Sequence, residues 1–266
     1  MNLTLGISPC PNDTFIFDAL VNGKINTRGY SFSTIHEDVE TLNRMAFAQE
    51  LDMTKLSFAA WCRLSDKYTL LNSGAALGRG VGPLLVQRAG GEHTDVLAGP
   101  VAIPGEHTTA HFLFEQFYPK HTAKRFMPFN EIEHWLLQQP ATAPAFGVLI
   151  HENRFTYRER GLELVADLGT AWEQRTGLPI PLGGIAIKKE FSGEVVNHIT
   201  ELVRESLAWS WNRYPQLSDY ITGHAQEMEE EVMRKHIQLY VNEYTVGLNN
   251  EAWKAIELMQ QMWKPK

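Results

Sequence analysis

The apolar run Gly147-Val148-Leu149-Ile150 ends in His151-Glu152-Asn153-Arg154-Phe155, so an imidazole, a carboxylate and a guanidinium gather where a strand runs out. Ligands of α/β proteins collect at the C-terminal ends of strands, and imidazole is the side chain best matched to moving a proton near neutrality. His151 is therefore the candidate general base, with Glu152 or a backbone carbonyl to orient its ring. The plainer reading is a hydrogen-bonded surface histidine. Nucleophilic catalysis has no matching signature, because G-x-S-x-G is absent and neither Cys10 nor Cys62 belongs to a paired Cys and His pattern.

Three further segments carry donors at the ends of apolar runs. Residues 52–58, DMTKLSF, read as a strand with alternating side chains that presents Thr54, Lys55 and Ser57, and a buried Lys55 there demands an anion partner. An exposed lysine beside a strand-end serine is the duller alternative. In Pro104-Gly105-Glu106-His107-Thr108-Thr109-Ala110 a tight turn leads into a helix, placing Thr108 and Thr109 where hydroxyls and orphan N–H groups grip a carboxylate, or simply cap the helix. Ser8-Pro9-Cys10-Pro11-Asn12-Asp13-Thr14 repeats the arrangement, with Asn12 or Asp13 expected at the cap and free N–H groups above the strand end.

Two other patterns are discounted. His107 and His111 share i,i+4 spacing, but the glutamate of H-E-x-x-H and a third ligand are both missing, so no metal is expected. The stretch Gly74 to Pro83 holds four glycines before an apolar strand and fits neither G-x-G-x-x-G nor the P-loop. Backbone bends or close chain approach account for these glycines.

Composition narrows the partners. With 24 Lys and Arg against 31 Asp and Glu the formal charge is -7, which disfavours nucleic acid, since phosphate binding needs clustered cations. A small anionic ligand must then be attracted by local donors. Two cysteines imply no disulfide framework. The N-terminal sequence MNLTLGISPCPND has no basic n-region or long apolar run, and no stretch of about 18 apolar residues occurs, so a cytoplasmic protein without a membrane span is expected.

The elements that must position these residues follow an α/β rhythm. Strand-length apolar runs at 3–7, 31–35, 53–58, 84–86, 101–103, 146–150 and 184–187 alternate with helical spacing at 13–21, 39–49, 108–117, 131–138 and 162–176. From about Glu190 only helices are expected, at 195–214, 228–241 and 250–262, the last begun by Asn249 or Asn250. With no linker or repeat, two interleaved lobes are expected: 1–98 with 184–266, and 99–183, the ligand lying in a cleft between them.

These segments, in order SPCPNDTFIF, DMTKLSF, GRGVGPLLV, VAIPGEHTTA, FGVLIHENRFTY, GLPIPLGGIAI and HAQEMEEEVMRKHIQLYVNEYT, resemble the 1,4-dihydroxy-6-naphthoate synthase family of menaquinone biosynthesis along essentially the whole chain. The resemblance implies a fold like that of type II periplasmic solute-binding proteins, retained in the cytoplasm. It implies a lyase acting on cyclic dehypoxanthine futalosine, a small carboxylate, without metal or organic cofactor. It also implies His151 as proton acceptor and Lys55, Leu56, Ser57, Thr108 and Thr109 as substrate-binding residues, while Asn12 and Asp13 are carried as cleft-lining candidates. A chorismate dehydratase of the same pathway, a non-catalytic carboxylate-binding protein and a regulator's sensing domain are the competing readings. The HENRF and HAQEM segments favour the synthase over the dehydratase. The missing export signal speaks against the binding protein, and the lack of a DNA-binding module or basic patch against the regulator.

Overall fold

Leu3, Leu5 and Ile7 alternate with Asn2, Thr4 and Gly6, and this period of two places them in the interior as strand β1 (Asn2–Ile7). The structure is a computed structural model that describes residues 1–91, 95, 98–140, 142–225 and 229–263. Its two compact units are residues 1–78 with 181–266, and residues 79–180.

In the first unit β1 is followed by α1 (Pro11–Val21), β2 (Ser31–His36), α2 (Val39–Phe47), β3 (Met53–Ser57), α3 (Phe58–Leu64), β4 (Tyr68–Leu70) and β5 (Ala76–Gly78). The second unit carries β6 (Leu84–Arg88), β7 (Val101–Ile103), α4 (Thr109–Phe117), β8 (Lys124–Phe126), a 3-10 turn at Phe129–Glu131 and α5 (Ile132–Gln138). It continues with β9 (Phe146–Leu149), α6 (Asn153–Thr156), β10 (Leu162–Asp167) and α7 (Leu168–Thr176). The chain returns through β11 (Ile180–Lys188) and ends in α8 (Gly193–Trp211), α9 (Asp219–His224), α10 (Glu230–Tyr240), α11 (Glu243–Val246) and α12 (Asn250–Met262). Residues 226–228, within the HAQEM segment and at the start of the helix expected over 228–241, lie outside the described residues.

The first sheet runs β2-β1-β3-β11-β4, with β5 beside β11. β1 is parallel to β2 and β3, while β11 is antiparallel to β3 and β4. Ile7, His36 and Ser57 therefore all end strands at one edge of that sheet. Its core joins Leu3, Leu5, Ile7, Met53, Ile185 and Ile187 to Phe15, Ile16 and Phe17 of α1 and Ile199, Leu202 and Val203 of α8. Each such side chain, fully buried, contributes about 1.5–3 kcal/mol relative to exposure.

The second sheet runs β10-β6-β9-β7-β8, with β7 parallel to β8 and β9 and β6 antiparallel to β9 and β10. Its core sets Leu84, Val86, Ala102 and Leu149 against Ile132 and Leu136 of α5. Among the described residues no helix is long and apolar enough to cross a membrane.

Several elements differ from the sequence reading. The helix expected over 162–176 is β10 followed by α7: Leu162, Leu164 and Asp167 are drawn into a ladder with Arg88, Val86 and Leu84, and the Asp167 carboxylate caps α7 by accepting from Thr170 N at 2.9 Å. The strand at 84–88, assigned from sequence to the first lobe, pairs with β9 and β10, so the chain enters the second unit after Gly78 rather than after residue 98. Hydrogen bonding to a sheet, which apolar periodicity does not encode, decides both. The three-residue strands β4, β5 and β8 are too short to show a period.

Candidate functional site

The loop after β1 carries the first group of candidate residues. Pro11 is the first residue of α1 and Cys10 its cap, with no side-chain bond to the cap. Asn12 and Asp13 therefore lie one and two places inside the helix, not at the cap as the sequence suggested, because proline, lacking an N–H, fits the first helical position. This frees the Asp13 carboxylate from capping. Oδ2 accepts from Ser8 N at 3.2 Å and Ser8 Oγ at 2.7 Å, while Oδ1 accepts from Asn12 Nδ2 at 2.8 Å and Lys55 Nζ at 2.6 Å.

Lys55 comes from β3 and is buried, so the exposed alternative does not hold, and Asp13 is the anion its burial requires. A Cβ at Gly183 of β11 would lie 3.2 Å from Lys55 Cε and 2.8 Å from Leu56 O, so a glycine there leaves room for the lysine stem. Leu56, alternating with Lys55, points into the core with Ala46, Leu64, Tyr68 and Ala186.

Ser57 ends β3 and is gripped by Asn43 of α2. Ser57 N donates to Asn43 Oδ1 at 3.0 Å and Asn43 Nδ2 donates to Ser57 Oγ at 3.1 Å. The hydroxyl thus accepts from Asn43 and keeps its own proton to give elsewhere.

His236 of α10 completes the group, its Nε2 lying 2.9 Å from Asn12 Oδ1. Asn43 and His236 were not singled out from sequence. A lone histidine on the buried face of an amphipathic helix reads as core, and only the fold brings it to the loop after β1. At the same sheet edge His36 Nε2 is 2.8 Å from the Tyr220 hydroxyl, and its ring stacks on His224 at 4.3 Å. Burial, and then the charge of His224, hold the His36 imidazole below its ordinary value. Burial, with Asp18 and Asp13, raises the Tyr220 phenol.

The second unit presents the remaining candidates. β7 and β9 are parallel neighbours, so the segments after Ile103 and Leu149, bearing Thr108 and Thr109 in one case and His151 in the other, leave the sheet at the same edge. Thr108 caps α4: its Oγ1 accepts from His111 N at 3.1 Å and donates to Gly105 O at 3.0 Å. Its proton is committed to Gly105 O, the first helical turn has backbone N–H groups that a helix leaves unbonded, and Thr109 is buried. His111 Nδ1 meets Glu106 O at 2.7 Å and Nε2 faces Lys124 Nζ at 3.2 Å, an arrangement that suits a neutral ring. Burial, with Lys124 adding, holds it below its ordinary value despite the Glu106 hydrogen bond. Among the described residues no group of three or more His, Cys, Asp or Glu could hold a metal ion.

His151 is half-buried, with φ 56°, in the left-handed region that costs a non-glycine residue about 1–2 kcal/mol. The Phe129 ring meets its imidazole edge-on at 4.9 Å. The four-residue α6 follows at once, and Arg154 anchors it by donating to Gly82 O and lying 3.4 Å from the Asp167 carboxylate. Gly82 is itself pressed on Gly169, where a Cβ would come within 2.2 Å of Gly169 Cα, so Arg154 ties the His151 turn to a tightly packed point.

Comparison with known proteins bears on the family and the fold. The family model described as menaquinone biosynthesis matches residues 3–264. A 1,4-dihydroxy-6-naphthoate synthase of Thermus thermophilus is 43% identical over 255 residues, covering 96% of this chain and 91% of that one. A synthase of the same name from Streptomyces coelicolor is 38% identical over 260 residues, covering 96% and 90%. Among solved structures, protein AF1704 of Archaeoglobus fulgidus superposes with TM-score 0.89 at 32% identity, covering 98% of this chain and 96% of that one. The periplasmic aliphatic sulphonate binding protein SsuA of Escherichia coli superposes at 0.68 with 9% identity, covering 98% and 85%, a likeness of fold alone. The fold is thus periplasmic-binding-protein-like, and the chain belongs to the menaquinone-biosynthesis family that includes the 1,4-dihydroxy-6-naphthoate synthases.

Proposed function

We propose that the protein is a carbon–carbon lyase that converts cyclic dehypoxanthine futalosine to 1,4-dihydroxy-6-naphthoate, with His151 as general base. The observation that carries this reading is the placement of His151, in a strained left-handed conformation, at the strand edge from which the Thr108–Thr109 helix start also emerges. Strain retained at a strand end marks a functional position better than a structural one. The base removes a proton from the substrate ring, the electron pair left behind forms a ring double bond as the carbon–carbon bond to the sugar-derived portion breaks, and the pair of the broken bond leaves on the departing carbon and takes up a proton there; aromatisation of the ring supplies driving force. One positioned imidazole suffices for such a step.

In the first unit Lys55 and Ser57 offer an ammonium and a hydroxyl suited to an anionic ligand; in the second the N–H groups at Thr108 and Thr109 suit a carboxylate. Leu56, whose side chain is buried in the core on the other face of β3, anchors the strand that carries the two donors, and Asn12 and Asp13 hold Lys55. No step calls for a cofactor. A cytoplasmic location is part of the same proposal.

Incubating the purified protein with cyclic dehypoxanthine futalosine, with chorismate as a parallel substrate, and analysing products by mass spectrometry tests the reading. Dihydroxynaphthoate is the expected product. Folded protein that leaves the futalosine derivative untouched, or dehydrates chorismate instead, overturns it.

A further inference from the structure

We infer that His236 is a positioning residue for the Lys55 ammonium, acting through a buried relay that runs His236, Asn12, Asp13, Lys55; the inference rests on the proposed role of Lys55 in substrate binding. All four side chains are almost wholly shielded, with residue exposures of 1%, 6%, 0% and 6%. Each link is a direct contact, at 2.9, 2.8 and 2.6 Å in turn.

The direction of every hydrogen bond follows from the carboxylate at the end of the relay. Asp13 accepts and cannot donate while ionised, so Asn12 must turn its amide nitrogen toward Oδ1. The Asn12 oxygen then faces His236, and an amide oxygen only accepts. His236 must therefore carry a proton on Nε2.

Removing that proton removes what holds the Asn12 amide in place. Asp13 still fixes which way the amide faces, so what changes is its position: Asn12 shifts to find a partner for its buried oxygen and draws its Nδ2 away from Asp13 Oδ1, the atom that anchors Lys55. An ammonium has three donors in fixed relative directions, so with one bond made to Asp13 the aim of the other two depends on where that carboxylate sits. His236 reaches this point from α10, whose Val232, Met233 and Ile237 are buried, and its ring lies 4.6 Å from that of Tyr240. Helix α10 thereby sets a group carried by the middle of β3, through a histidine 224 residues from Asn12.

The test combines the 15N shifts of the His236 ring with the kinetics of three variants on cyclic dehypoxanthine futalosine. The wild-type ring is expected as the Nε2–H tautomer. His236→Leu, which fills the volume without a donor, is expected to raise KM about tenfold with kcat within about threefold of wild type. His236→Gln, which returns an N–H to the same place, is expected to bring KM back to within about threefold of wild type. A wild-type Nδ1–H tautomer overturns the relay. So does an equal rise in KM for the Leu and Gln variants, which describes packing alone. Lys55→Met separates this from the underlying reading: unchanged KM there overturns the binding role of Lys55, whereas raised KM there with wild-type KM in His236→Leu overturns the relay only.

Discussion

Lys55 Nζ lies 2.6 Å from Asp13 Oδ1, joining the middle of β3 to the first turn of α1 with both side chains buried. Breaking a buried pair from one side leaves an uncompensated charge, which costs about 3–5 kcal/mol. Asp13→Ala should therefore lower the urea midpoint sharply. Removing both charges in Asp13→Ala with Lys55→Met should recover part of the loss, and additive losses in the double variant would contradict the coupling.

His151 carries a conformational cost that glycine does not. His151→Gly should leave stability unchanged or raise it by about 1 kcal/mol while turnover falls at least about a hundredfold, so the two quantities move in opposite directions. Thermal midpoints and initial rates on the same preparation check this. A Gly variant that is less stable and still active would remove His151 from the chemistry.

Arg154 holds a helical turn of four residues, too short to persist by its own hydrogen bonds. Arg154→Ala should lower kcat about tenfold with little change in KM, because the turn that aims His151 loses its tie to Gly82 and Asp167. Arg154→Lys keeps the charge but not the planar fork that reaches both acceptors, and should fall between. Full activity in Arg154→Ala would show that Phe129 and the local backbone are enough.

His36 and His111 both titrate below the ordinary histidine value, chiefly because burial disfavours the charged ring. The unfolded chain then binds more protons than the folded one below about pH 6.5. Their contribution to stability is present above that value and is lost as pH falls through the folded values. Unfolding midpoints measured from about pH 7.5 to about pH 5 should fall with acid, and less steeply in His36→Gln with His111→Gln. A slope unaltered by the double substitution would place the acid sensitivity elsewhere.

The local grammar of the site was readable from the chain. SPCPND, DMTKLS, PGEHTT and LIHENR each show an apolar run, a turn and polar residues, since strand period and turn chemistry are properties of a few consecutive residues. Thr108 as the cap of α4 and Asn249 as the cap of α12 follow from the same local rules. Residues 162–176 did not, because a six-residue strand running directly into a helix imitates one longer amphipathic helix until β6 is seen beside it.

Sequence alone determined the α/β rhythm, the strand-end loops and the residue types able to move a proton or hold an anion, because those depend on near neighbours. Tertiary structure decided which of them meet: Asp13 with Lys55 across 42 residues, Ser57 with Asn43 across 14, and Asn12 with His236 across 224. Hydrogen bonds and ion pairs form wherever folding brings donor to acceptor in a dry interior. Nothing in the spacing along the chain records that distance.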